Sequence, residues 1–133
     1  ECECPSLAGP DLCLLLRRSD QPRNAYQPNA DRYGACVRES GLTCAYQTGA
    51  VLNCAHLTGA YLSCAYLTGA DLSGADLSNA DLSGAYLTNA NLTGADLYGA
   101  GLTGAYVTSA DLSGAYLDAA ALRSAFRFAS DQP

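Results

Sequence analysis

The chain has 133 residues, enough for one domain and too few for two. Its formal net charge of −6 is unevenly placed: no Arg lies between Glu39 and Leu122, while Asp71, Asp76, Asp81, Asp96, Asp111 and Asp118 do, and the chain has no Lys, Met or Trp. An acidic middle repels nucleic acid and anionic lipid, and no apolar run approaches the ~20 residues of a membrane-spanning helix.

The first segment, 1–24, reads as a cysteine-containing cap. Leu12 to Leu16 is the longest apolar run, and Asp11 is placed to N-cap a short helix through it. The chain does not open on Met, which suits a removed targeting peptide or a trimmed chain equally. Seven cysteines in so short a chain point to an oxidising compartment, and their odd number leaves at least one thiol free or paired between molecules. Cys2, Cys4, Cys13 and Cys36 are able to form two bridges around the cap, with connectivity open. A zinc site is the weaker alternative, because Cys2-Glu3-Cys4 lacks the usual ligand gap and no paired His exists.

From Ala25 to Ala125 an alanine recurs every five residues, broken only by Ser40, and two residues after most of these alanines stands a leucine. The core is therefore expected to contain Leu52, Leu57, Leu62, Leu67, Leu72, Leu77, Leu82, Leu87, Leu92 and Leu97. A five-residue period suits neither a helix nor a simple amphipathic strand. It describes a chain that turns a corner at each repeat and points one small and one large apolar side chain inward. Gly, Asn and Ser at the repeat ends (Gly49, Gly59, Gly69, Gly74, Asn79, Gly84) suit turns with positive φ, and glycine at this density opposes a helix.

A second period gives the number of corners per turn. Tyr26, Tyr46, Tyr66, Tyr86 and Tyr106 lie twenty apart and Phe126 continues the series. Twenty residues are four repeats, so these side chains fall on one face of a four-sided coil. Gln27, Arg32 and Gln47 stand where Leu is expected. Gln27 and Gln47 are one coil apart and suit a buried amide ladder, while Arg32 points to a distorted or open first coil. Repeats are expected through residue 124, with a cap and tail over 125–133. Ala119 to Phe128 keep the repeat register, yet their alanines also suit a helix.

Segments such as Ala70-Asp71-Leu72-Ser73-Gly74, Ala75-Asp76-Leu77-Ser78-Asn79 and Ala90-Asn91-Leu92-Thr93-Gly94 resemble the A-(D/N)-L-x-x motif of the pentapeptide-repeat family. The match is good over 40–124 and loose over 25–39. The resemblance implies an all-β solenoid, a right-handed quadrilateral parallel β-helix of about five coils, with short helical caps. Coils would rise by the strand spacing of ~4.8 Å, each leucine buried against those above and below.

A filled column leaves only its outside to act. Tyr46, Tyr66, Tyr86 and Tyr106, beside the hydroxyl column Thr48, Thr68, Thr88 and Thr108, form the expected interaction face; internal stabilisation of that face is the competing reading. The Asp columns (Asp31, Asp71, Asp111 with Asn91; Asp76 and Asp96) read as solvating charges. Cys44 and Cys64 stack one coil apart, within Cα reach of a disulfide, or stay as two thiols in a turn column; Cys54, on the opposite face, is the candidate odd thiol. His56 reads as an exposed spectator. No catalytic, cofactor-binding or metal site is expected, and no phosphate-binding glycine motif occurs.

The reading that follows is a non-catalytic protein-interaction module in an extracytoplasmic compartment, with secreted or periplasmic locations as alternatives to the lumen. Resemblance to thylakoid-lumenal members implies an accessory subunit docked on a photosynthetic membrane complex, without membrane insertion or nucleic acid. Two rivals are an ice-binding solenoid using the Tyr/Thr face and an acidic DNA mimic that binds DNA gyrase.

Overall fold

A computed structural model of the chain describes residues 42–129, with side chains as far as Ala125. The expectations for the 1–24 cap, the Asp11 helix, Gln27, Arg32 and the first four cysteines lie outside these residues. From Leu42 onward every bridge between neighbouring backbones is parallel and joins residues twenty apart, as in Tyr46↔Tyr66, Val51↔Asp71, His56↔Asp76 and Tyr61↔Asp81. Twenty residues therefore make one coil and five make one side. The described residues up to Asp118 form just under four coils of a four-sided parallel β-helix.

Each corner is a tight turn. The alanine that begins a repeat donates its N–H to the carbonyl of the leucine three residues earlier, as in Ala75 to Leu72 at 3.0 Å. The residue before that alanine takes φ near +60°, as at Gly74 (φ 63) and Asn79 (φ 57). A positive φ at that place is the type II turn geometry, which favours Gly and tolerates Asn. At Gly99 a side chain is also excluded by contact, because a Cβ there would lie 2.5 Å from Asn79 Oδ1.

The hydrogen bonds of one repeat explain its motif. In Ala90-Asn91-Leu92-Thr93-Gly94, the Asn91 N–H donates to Ala70 in the coil before. The Leu92 and Gly94 N–H groups donate to Asp111 and Ser113 in the coil after, and the Ala90 N–H closes its own turn onto Leu87. Only the fourth residue lacks a main-chain acceptor. Its N–H donates instead to the side chain two residues earlier: Ser73 to Asp71, Ser78 to Asp76, Ser83 to Asp81, Thr93 to Asn91, Tyr98 to Asp96 and Ser113 to Asp111, at 2.9–3.1 Å. The Asp or Asn of the motif thus supplies the one acceptor the ladder does not provide.

The interior is leucine and alanine. Leu52, Leu57, Leu62, Leu67, Leu72, Leu77, Leu82, Leu87, Leu92 and Leu97 are all buried, as are the alanines from Ala45 to Ala105. Gln47 is the exception: it is 0% exposed, and neither its amide nitrogen nor its oxygen has a hydrogen-bond partner.

The coil ends earlier than the sequence register suggested. An α-helix, α1, spans Ala119–Ala129, so the repeat expected over 120–124 is helical. The reason is the corner at residue 119, where Ala stands in place of Gly or Asn and resists positive φ. Asp118 then serves as N-cap: its Oδ1 accepts from the Ala120 and Ala121 N–H groups at 3.0 and 2.7 Å. Its Oδ2 accepts from the Gly99 N–H at 3.2 Å, doing for the last coil what a backbone carbonyl does elsewhere. Ala121 and Ala125, one helical turn apart, are buried in the same core, against which Val107, Ala110, Leu112, Ala115 and Leu117 pack half-buried.

Two consequences are measurable in urea unfolding. Gln47→Leu replaces an unsatisfied buried amide with the residue the column uses elsewhere, and is expected to stabilise the fold by about 1–3 kcal/mol. Asp118→Ala removes the cap and its tie to Gly99, and is expected to cost about 1 kcal/mol, with lost helical ellipticity.

Candidate interaction face

One side of the column is lined with aromatic rings. Tyr46, Tyr66, Tyr86 and Tyr106 occupy the second position of successive repeats on that side, so the coil spacing sets their separation. The ring centroids are 4.4, 4.6 and 4.7 Å apart and the planes lie within 4° of parallel. This is offset stacking. The stack turns the ring faces toward each other along the column and leaves hydroxyls and edges for the surface. Thr48, Thr68, Thr88 and Thr108 run beside it, half-buried or exposed. The structure thus stacks the four tyrosines expected on this face, with the threonines at the fourth position of the same repeats.

The neighbouring Tyr46 phenol, through its charge and a shared hydrogen bond, raises the pKa of Tyr66 above 10.0, and Tyr86, partial burial and the Cys44 thiol push the same way. The stacked face offers hydroxyl-bearing aromatic edges at the coil spacing. Outside it, Tyr61 and the pair Tyr98–Tyr116, with centroids 6.0 Å apart, are exposed.

The acidic columns are more than solvating charges, as their bonds to the fourth-residue N–H groups show. Asp76 is the most enclosed in hydrogen bonds. Its Oδ1 accepts from the Ser78 hydroxyl at 2.6 Å and its Oδ2 from the Thr58 hydroxyl of the preceding coil at 2.8 Å. Burial alone pushes its pKa up. The Ser78 and Thr58 hydroxyls, the Ser78 N–H and the His56 ring together outweigh burial and hold it below 3.8. His56 is half-buried rather than exposed, and both its ring nitrogens are covered without a hydrogen-bond partner. The sequence pattern placed it outward; it did not show what would cover it.

Of the two readings left open for Cys44 and Cys64, the structure has the unbonded thiols, while the expectation for Cys54 is corrected. Cys44 and Cys64 are free thiols, and Cys54 is disulfide-bonded rather than the odd thiol. The Cys64 thiol leans up the corner column toward Gly84, where an added Cβ would meet it at 3.3 Å, and so points away from Cys44. Among the described residues no cluster of three or more His, Cys, Asp or Glu is placed to hold a metal.

Comparison with known proteins follows the same pattern. The family model described as pentapeptide repeats matches in 8 copies, over residues 42–79, 65–104 and 75–114. A solved pentapeptide repeat protein from the Arabidopsis thaliana thylakoid lumen is similar at 34% identity and TM-score 0.67, over 71% of this chain and 65% of that one. The chain thus spans just under two thirds of that protein's length. A pentapeptide repeat protein from the cyanobacterium Cyanothece 51142 is similar at 26% identity and TM-score 0.54, over 72% of this chain and 82% of that one. No curated protein matches the chain.

Asp76 gives a test of the turn bonds. Its pKa is depressed in the folded state, so its contribution to stability is full above the ordinary carboxylate value of 3.8 and fades as pH falls through the folded value. Wild type is expected to exceed Asp76→Asn in unfolding free energy near neutral pH. The gap should narrow as pH falls below 3.8 and vanish once Asp76 is protonated in both states, measured by urea unfolding across pH.

Proposed function

Since this chain belongs to the pentapeptide-repeat family, whose fold is the right-handed quadrilateral β-helix, we propose that it is a non-catalytic docking module that engages a protein partner through its tyrosine face. The residues that carry the contact are Tyr46, Tyr66, Tyr86 and Tyr106 with Thr48, Thr68, Thr88 and Thr108. The full rod has about five coils, its repeats beginning near Ala25, with residues 1–24 as a cap at one end and α1 at the other. Its place is the thylakoid lumen, as an accessory subunit on a photosynthetic membrane complex whose basic loops complement the acidic sides.

The observation that supports this reading most is the ladder itself. Four parallel rings fixed by stacking have already lost the conformational freedom that binding would otherwise remove, and tyrosine is enriched where proteins meet. The compartment follows the similarity to the Arabidopsis lumenal protein and the presence of a disulfide at Cys54. A packed leucine and alanine interior over the described coils supports the non-catalytic assignment, because it leaves the outer positions as the place for functional side chains.

The experiment is binding to thylakoid membranes opened to expose their lumenal side. Tyr86→Asp places a charge in the middle of the ladder and is expected to weaken retention by about 2 kcal/mol, roughly thirtyfold, while circular dichroism stays unchanged. Equal retention of wild type and variant would sink the docking face. Thermal hysteresis of the pure protein, or inhibition of gyrase supercoiling, would replace it with one of the two rival functions.

A further inference from the structure

The side of the column two sides round from the ladder carries a different aromatic feature. Its second positions are His56, Asp76, Asp96 and Tyr116, each in register with the next coil. Its fourth positions are Thr58, Ser78, Tyr98 and Asp118. Tyr98 is the only aromatic residue at the fourth position of a described repeat; the others there are Ser, Thr, Asn or, at the end, Asp118. The last two coils therefore present a square of four side chains, with Tyr98 and Tyr116 on one diagonal and Asp96 and Asp118 on the other. The rings are 6.0 Å apart and tilted by 28°, wider than in the ladder, and Tyr98 and Tyr116 are 53% and 63% exposed.

The two carboxylates are held in place but have no counter-charge. Asp118 accepts from the Ala120 and Ala121 N–H groups and, across the two coils, from the Gly99 N–H. Asp96 Oδ1 accepts from the Tyr98 N–H at 2.9 Å. In other repeats the fourth-residue hydroxyl adds a second bond to that oxygen, as Ser73 does to Asp71, Ser78 to Asp76 and Thr93 to Asn91. A tyrosine hydroxyl, at the far end of its ring, cannot fold back to make it. Asp96 Oδ2 accepts from nothing among the described residues. Arg123, the one arginine whose side chain is described, turns its Nε to the Ala119 carbonyl instead.

We propose that this square is a contact site for an arginine side chain of a protein partner. Two exposed ring faces attract a cation, and two carboxylates beside them set its sign. A guanidinium suits both at once. Its plane lies against a ring while its edge N–H groups reach a carboxylate, here the open Asp96 Oδ2; an ammonium is a compact charge that holds its water more tightly. Stability gives no reason for Tyr98 to replace Ser or Thr, because the ring forgoes the hydroxyl bond and stays mostly exposed. The site lies two sides away from the ladder, so it does not rest on docking there.

The test is NMR titration of the full chain with short glycine-flanked peptides, capped at both ends, whose central residue is arginine, lysine or citrulline. The arginine peptide is expected to shift the ring resonances of Tyr98 and Tyr116 saturably and to bind more tightly than the lysine peptide. Citrulline, which keeps the shape of arginine without its charge, should cause no shift. Asp96→Asn keeps the turn acceptor, as Asn91 shows, and Tyr98→Thr restores the hydroxyl of the neighbouring repeats, so both variants are expected to fold. Each should weaken binding of the arginine peptide by about two- to fivefold, while Tyr98→Phe retains it. Equal binding of the citrulline or lysine peptide, or an arginine affinity unchanged in Asp96→Asn and Tyr98→Thr, would overturn the proposal. So would self-association of the pure chain that disappears in Asp96→Asn, because the arginine would then belong to a second copy. Tyr86→Asp, the variant that tests the ladder, is expected to leave the arginine peptide bound, so the two readings fail separately.

Discussion

A leucine at the third position of a pentapeptide cannot be buried by that pentapeptide. It reaches an apolar environment only when the coils before and after supply leucines at the same place, and the alanines let the four walls come close enough to close around them. This mutual burial, roughly 1.5–3 kcal/mol for a fully buried leucine, is what the rest of the structure depends on. Leucine falls over leucine for any whole number of five-residue sides; the parallel bridges between residues twenty apart give the coil its four sides, and that register puts tyrosine over tyrosine on one of them. The same burial fills the interior and leaves the outer positions as the places where chemistry can vary. The same dependence explains why burial weakens toward the last coil: Val107, Leu112 and Leu117 are only half-buried, with α1 in place of a further coil.

The corners impose the second constraint. Each needs a residue with positive φ, and the chain meets this with Gly at most of them and with Asn79, Asn89, Ser109, Cys44, Cys54 and Cys64 at others. Ser and Cys have no special ease in the left-handed region, so their presence there is tolerated by the coil rather than preferred by the residue. At residue 119 the next corner would fall on Ala, immediately followed by two more alanines. Helix propensity and the Asp118 cap then decide in favour of α1. The end of the solenoid is set where one corner residue changes and a capping side chain stands just before it.

This accounts for what could be read from the sequence and what could not. The inward leucines, the four-sided coil and the tyrosine column follow from two simple periods, because translation along a repeat carries side-chain identity directly into space. Properties that break translation were not legible. The Asp and Asn residues were read as surface charge, since their role appears only when every backbone donor of a repeat is followed to its acceptor. His56 shares an outward position with tyrosine and aspartate, yet its ring nitrogens are covered, which no local pattern reveals. The cysteine spacing gave the distance between Cys44 and Cys64 but not the direction of the Cys64 thiol, and direction is what separates two thiols from a disulfide.

The tyrosine face is best weighed against the other sides of the same column. On those sides an Asp or Asn at the second position satisfies the fourth-residue N–H. A tyrosine carries no acceptor that can fold back two residues, so each ring forgoes that bond, worth about 0.5–1.5 kcal/mol net and toward the lower end at the surface. Stacking returns about 0.5–1.5 kcal/mol per ring pair. The two terms nearly cancel, so stability alone gives little reason to prefer four tyrosines over four aspartates. The exchange does change the surface. It replaces carboxylates bonded back to their own turns with a stacked aromatic strip that presents hydroxyls at the coil spacing. Asp71 and Asp111 lie on the side that follows it and Asp81 on the side that precedes it. The docking proposed above would call for a partner with an apolar or hydroxyl-bearing centre and cationic edges, to match an aromatic strip flanked by these aspartates.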